Sequence, residues 1–119
     1  MISAQNITMK FSLMINATNQ WQKSIQHALS LAQCITENGH VINTVFFYGH
    51  ASQIIQNSAL VEPWLEWQKH TQTKFQLCST LIENHGLSSL ANSTDGFEVV
   101  SLGSWIQAAE EADKVIELS

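Results

Sequence analysis

The chain has 119 residues, of which 45% are hydrophobic and only 13% charged, with five Lys/Arg against ten Asp/Glu. That length suits one domain around one core and is too short for two. Mild acidity without a basic cluster argues against a direct grip on nucleic acid, and no apolar run approaches the length of a membrane span. Met1 to Thr8 lacks the basic start and apolar core of a secretory signal. Cys34 and Cys78 show neither C-x-x-C nor zinc-ligand spacing, so no disulfide framework and no metal site is expected, and the protein reads as cytoplasmic and reduced.

Ile7 to Ile15 predicts a strand, apolar in its later half (Phe11, Leu13, Met14, Ile15). A helix follows, capped by Asn19 and left at Gly39, where glycine takes a positive φ cheaply. Its residues Trp21, Ile25, Ala28, Leu29, Ala32 and Ile35 recur at three- and four-residue steps and form one core-facing stripe. Val41 to Tyr48 is an almost continuous apolar strand, the pattern of a strand covered on both faces. Ala51 to Asn57 predicts a short helix, and a second is expected to open at Pro63. Phe75 to Cys78 is the third strand, followed by a helical turn or two ending at Gly86. Phe97 to Ser101 is the fourth strand, Ser104 to Ala112 a helix, and Lys114 to Leu118 the last strand. This alternation implies a three-layer α/β/α domain on a mostly parallel five-stranded sheet.

In open α/β sheets, chemistry collects beyond the carboxyl ends of the strands. Here those ends are Asn16-Ala17-Thr18, Tyr48-Gly49-His50, Cys78-Ser79-Thr80 and Ser101-Leu102-Gly103. No G-x-G-x-x-G, no G-x-x-x-x-G-K-[ST] and no G-x-S-x-G occurs, and Asn16 stands where a phosphoacceptor site would want acidic residues. Cys78 remains. It closes a strand and precedes a helix, so unpaired N–H groups and the positive end of the helix dipole adjoin it, a setting that favours thiolate. Two readings stand side by side: a working thiol, or a buried small hydrophobe of the kind free cysteines often are.

Cys34 supplies the contrast. It lies opposite the stripe of the first helix, among Lys23, His27, Ser30 and Glu37, away from the dipole's end. His50 follows a strand end on the active edge and is a candidate auxiliary to a thiolate; a polar loop residue is the plainer alternative. His85 lies two helical turns past Cys78, too far for a direct hydrogen bond, and His27, His40 and His70 read as solvated. Trp64 and Trp67, with Leu60 and Val61, read first as core and second as interface residues.

Three stretches carry a likeness. Gly39-His40-Val41 through Val45-Phe46-Phe47-Tyr48, Phe75-Gln76-Leu77-Cys78-Ser79-Thr80-Leu81 running to Gly86, and Gly96-Phe97-Glu98-Val99 through Leu102-Gly103 to Asp113-Lys114-Val115 together resemble the DsrE/TusD family of sulfur-relay proteins. The resemblance implies a family domain over residues 9–119, with residues 1–8 as an N-terminal extension. It implies a cytoplasmic α/β protein whose cysteine, here Cys78, accepts persulfide sulfur from a donor protein and hands it to an acceptor protein without a cofactor. Backbone N–H groups of Ser79 and Thr80 would stabilise the anionic sulfur. The resemblance also implies two homologous small subunits, assembled as a dimer of heterotrimers, and a relay feeding 2-thiolation of a tRNA wobble uridine or sulfur oxidation. For the chain alone a homo-oligomer is left open as one option. The alternative reading is a non-catalytic structural or regulatory subunit of such a hetero-oligomer. Gly49-His50-Ala51 stands where relatives often carry a charge, and Glu83-Asn84-His85 where basic residues are common, which puts partner recognition in question.

Overall fold

The five strands hydrogen-bond into a single all-parallel sheet in the order β4-β3-β2-β1-β5. They are β1 Lys10–Ala17, β2 Val41–Gly49, β3 Lys74–Cys78, β4 Phe97–Val100 and β5 Lys114–Leu118. These come from a computed structural model that describes residues 7–119. The helices are α1 Trp21–Glu37, α2 Ser58–Gln68, α3 Ser79–Asn84, α4 Ser88–Ser93 and α5 Leu102–Glu111, with a 3₁₀ segment over His50–Gln56. Of the expected N-terminal extension, the first six residues lie outside the described residues.

The strand order explains the uneven layers. β1 to β4 are laid down outward, one beside the next, so successive right-handed crossovers carry their helices over the same face. Accordingly Ile25, Ala28 and Ala32 of α1, Trp64 and Trp67 of α2, Ile82 of α3 and Ala91 of α4 share one large core. The chain then reverses to place β5 on the far side of β1, and α5 crosses the opposite face by itself. There Trp105 closes a smaller cluster with Met14, Phe46 and Cys78.

Side-chain alternation divides the strands between these two cores. Leu13, Ile15, Val45, Phe47, Phe75 and Leu77 enter the large one, whereas Met14, Phe46 and Cys78 enter the small one. Ile42 and Val45 are three residues apart yet share a face, because β2 bulges: Phe11 pairs with Ile42 but Ser12 with Thr44. The extra residue, Asn43, turns toward α5 and donates from Nδ2 to the Ala108 carbonyl at 3.2 Å. Ser12 Oγ lies 2.5 Å from Asn43 Oδ1 and 3.1 Å from the same carbonyl, so α5 is tied to the sheet by polar as well as apolar contacts.

Several boundaries differ from the sequence expectation for identifiable reasons. β1 begins at Lys10, not Ile7, because its first partners are Val41 and, through Phe11, Lys114; strand ends are set by neighbours. The cap of α1 is Gln20, one residue beyond Asn19, with no side-chain cap bond. Pro63 sits inside α2 instead of opening it. The N–H it lacks would have met the carbonyl of Ala59, an exposed residue whose carbonyl water can reach, so the helix tolerates it. α4 was not expected: six mostly polar residues burying only Ala91 carry no readable period. α5 starts two residues earlier than expected, at Leu102, with Ser101 as its N-cap.

Candidate functional site

Adjacent strands whose outgoing connections leave toward opposite faces open a crevice at their carboxyl ends, and ligands in open α/β sheets gather there. In this sheet the adjacent pair is β3 and β4. From β3 the chain turns into α3 and α4 over the large core; from β4 it turns into α5 over the small one. The last register pair of the two strands is Cys78 with Val100. Cys78 therefore occupies the switch point of the fold.

Cys78 is also the N-cap of α3, in extended backbone (φ −72°, ψ 121°), and its side chain makes no cap bond. Ser79 and Thr80 follow as the first two helical residues, so their N–H groups have no intrahelical acceptor. The helix is under two turns long and its C-cap is His85, next to Gly86, as the sequence led one to expect. Cys78 is 6% exposed as a residue and belongs to the cluster of Met14, Phe46 and Trp105, with Leu81, Val100 and Tyr48 packed against that cluster. Phe46 and Trp105 stack at 5.9 Å between ring centroids and form the apolar wall of that cluster. This wall helps to bury Cys78. Truncation by Trp105→Ala should raise the alkylation rate of Cys78 by iodoacetamide several-fold and leave that of Cys34 unchanged, read by peptide mass mapping.

His50 opens the 3₁₀ segment and is exposed. Its Nδ1 lies 3.1 Å from Gln53 Nε2, and its ring faces that of His85 at 6.2 Å. The structure thus brings His50 and His85 together at the carboxyl edge, a pairing that sequence spacing did not suggest. The residue before them, Gly49, has φ +60° and ψ −140°. A Cβ there would stand 2.8 Å from the Ala17 carbonyl oxygen and 3.0 Å from Asn16 Oδ1. Gly49→Ala should cost about 2–3 kcal/mol through backbone strain and this clash, measured as a lowered denaturant midpoint.

The other candidates separate cleanly. Cys34 is exposed, with Asn38 Nδ2 donating to its carbonyl at 2.7 Å. His40 is more engaged than expected: its Nδ1 accepts from the Met9 N–H at 3.1 Å, and its ring leans on Phe11. Trp64 and Trp67 belong to the large core. A cleft of about 620 Å³ between α1 and α2, bordered by Gln33, Thr36, Trp67 and His70, lies at the amino-terminal edge of the sheet, away from Cys78. No helix among the described residues is long and apolar enough to cross a membrane.

A model of the DsrE/DsrF-like family matches residues 9–118. The chain belongs to this family. Among similar proteins, the Sulfurtransferase TusD of Sodalis glossinidius is 27% identical, over 93% of this chain and 99% of its own length. The Sulfurtransferase TusD homolog of Vibrio vulnificus (strain CMCP6) is 25% identical, over 92% and 98%. In fold, this DsrE/DsrF-like chain matches the crystal structure of the ychN protein from E. coli with a TM-score of 0.55 at 15% identity, covering 93% of this chain and 99% of the other. What sequence reasoning missed was the switch point itself, because it depends on which strand lies beside which.

Proposed function

We propose that the protein is a sulfurtransferase subunit of a sulfur relay, with Cys78 as its carrier. The observation that supports this most is the placement of Cys78 at the β3/β4 switch point in a chain similar over its length to sulfurtransferases named TusD. In the reaction, the Cys78 thiolate attacks the outer sulfur of a donor persulfide. A new S–S bond forms at Cys78, the donor's S–S bond breaks, and the donor leaves as a thiol carrying the proton. The sulfane sulfur keeps its oxidation state, so no cofactor or oxidant is consumed. Ser79 and Thr80 N–H groups hold the anionic terminal sulfur, and His50 serves as an auxiliary at the same edge. The second transfer repeats this exchange toward an acceptor thiol.

The working assembly in this reading is cytoplasmic and contains two homologous small subunits, a persulfide donor protein upstream and an acceptor protein downstream. The sulfur is destined for tRNA wobble-uridine 2-thiolation or for sulfur oxidation, and the chain touches no nucleic acid itself. One observation favours a second reading, a structural or regulatory subunit: Cys78 is buried in one cluster with Met14, Phe46 and Trp105. Incubation of the reduced protein with cysteine persulfide, followed by intact mass measurement, separates the two. A gain of one sulfur on Cys78 supports the carrier; an unchanged mass supports the structural subunit.

A further inference from the structure

The small core that holds Cys78 is built mostly by the sheet. Met14, Phe46 and Cys78 come from β1, β2 and β3, and Trp105 of α5 is the one member of the buried cluster that is not on a strand. Ala109, one helical turn after Trp105, packs against the same cluster. The apolar hold of α5 is thin: only Trp105 and Ala108 are buried, while Leu102 and Ile106 are 43% and 53% exposed. Helices with so little buried apolar surface are among the segments that open most readily.

A polar anchor adds to this hold. The Ala108 carbonyl is among the last four of α5, which lack the usual acceptor role one turn on; the Ala112 N–H turns to Ala109 instead, at 3.3 Å. Donors for Ala108 come from the sheet: Asn43 Nδ2 lies 3.2 Å from its oxygen and Ser12 Oγ 3.1 Å. The Ser12 hydroxyl has one proton and also meets Asn43 Oδ1 at 2.5 Å, so the shorter bond takes it and Asn43 holds the carbonyl. Ser12 is fully buried, and Asn43 is the extra residue of the β2 bulge, which has no register partner on β1.

We infer that Asn43, steadied by Ser12, is a positioning residue: it holds α5, and through it Trp105, on the small core and so sets how readily Cys78 is reached from outside. The consequence for sulfur transfer rests on the sulfur-carrier reading; the control of thiol access does not.

The test follows alkylation of Cys78 by iodoacetamide in the full-length protein, with Cys34 as the internal reference. Asn43→Asp keeps the side-chain shape and the acceptor for Ser12, but replaces the donor facing Ala108 with a second acceptor. It should speed Cys78 alkylation about fivefold, the worth of one neutral hydrogen bond. Asn43→Ala, the larger truncation, should have the smaller effect, below about twofold, because the freed Ser12 hydroxyl can turn to Ala108. Adding Ser12→Ala to Asn43→Ala should bring the gain to about fivefold. A residue that merely supports the fold would give the reverse order, with alanine more disruptive than aspartate. In the Trp105→Ala background Asn43→Asp should add nothing, since the anchor acts through the indole. Urea well below the unfolding midpoint should leave these rates unchanged, as local opening requires and global unfolding does not allow.

Unchanged alkylation in both Asn43→Asp and the Ser12→Ala/Asn43→Ala pair overturns the inference, as does a gain that persists in full without Trp105. Sulfur uptake from cysteine persulfide is measured alongside by intact mass. Uptake faster by the same factor in Asn43→Asp supports the anchor and the carrier together. Faster alkylation with no sulfur uptake by any form keeps the anchor and rejects the carrier.

Discussion

Cys78→Ser should abolish the gain of one sulfur after incubation with a persulfide donor, while Cys34→Ser should gain sulfur at the wild-type rate. The contrast rests on chemistry and on place. A serine hydroxyl does not attack sulfur at neutral pH and cannot hold a persulfide, so the loss is complete rather than partial. The two cysteines differ in every structural respect that matters. Cys34 lies on the solvent face of α1, whereas Cys78 ends β3 at the switch point and begins α3. Serine is close in size to cysteine, so folding should be preserved, and unchanged thermal unfolding is the control. Sulfur retained by Cys78→Ser and lost by Cys34→Ser would transfer the role to the helix cysteine and sink the assignment.

The second large effect concerns stability. Phe47 is fully buried in central strand β2, with its ring 5.4 Å from Trp64, 5.8 Å from Phe75 and 5.5 Å from Phe97. Phe47→Ala removes the hub of this aromatic cluster and leaves a cavity that close-packed neighbours cannot fill. The expected loss is about 4 kcal/mol, within the range for buried Phe→Ala changes. For a domain of this size that lowers the midpoint of thermal unfolding by about 15 °C. Because Phe47 faces the large core and Cys78 the small one, molecules that remain folded should still take up sulfur. A loss below about 1 kcal/mol would contradict the division into two cores, since that is the cost of removing little buried surface.

How much of this could be read from the chain depended on the range of the interaction. α1 was legible because Ile25, Ala28, Ala32 and Ile35 repeat at helical spacing, and all four are buried. β5 was legible to the residue, Lys114 to Leu118. β1 was displaced at both ends because its limits come from its partners on β2, Val41 beside Lys10 and Gly49 beside Ala17, residues far along the chain. Pro63 misled because the helix around it is held by Leu60, Val61, Trp64 and Trp67 in the core, and tertiary packing outweighed the local rule. α4 was missed because one buried alanine among polar residues makes no pattern.

The sequence by itself determined the alternation of strands and helices, the α/β class, the family resemblance and the single cysteine that closes a strand. Each of these is written in neighbouring residues or in their spacing. Only the tertiary structure decided that the sheet is wholly parallel, that β5 returns beside β1, and that β3 and β4 send the chain to opposite faces. It also decided that Cys78 shares a buried cluster with Trp105 and that Gln76, two residues before it, is buried without a donor to its Oε1. Those facts follow from strand order, and strand order arises from contacts between segments tens of residues apart, which no local pattern encodes.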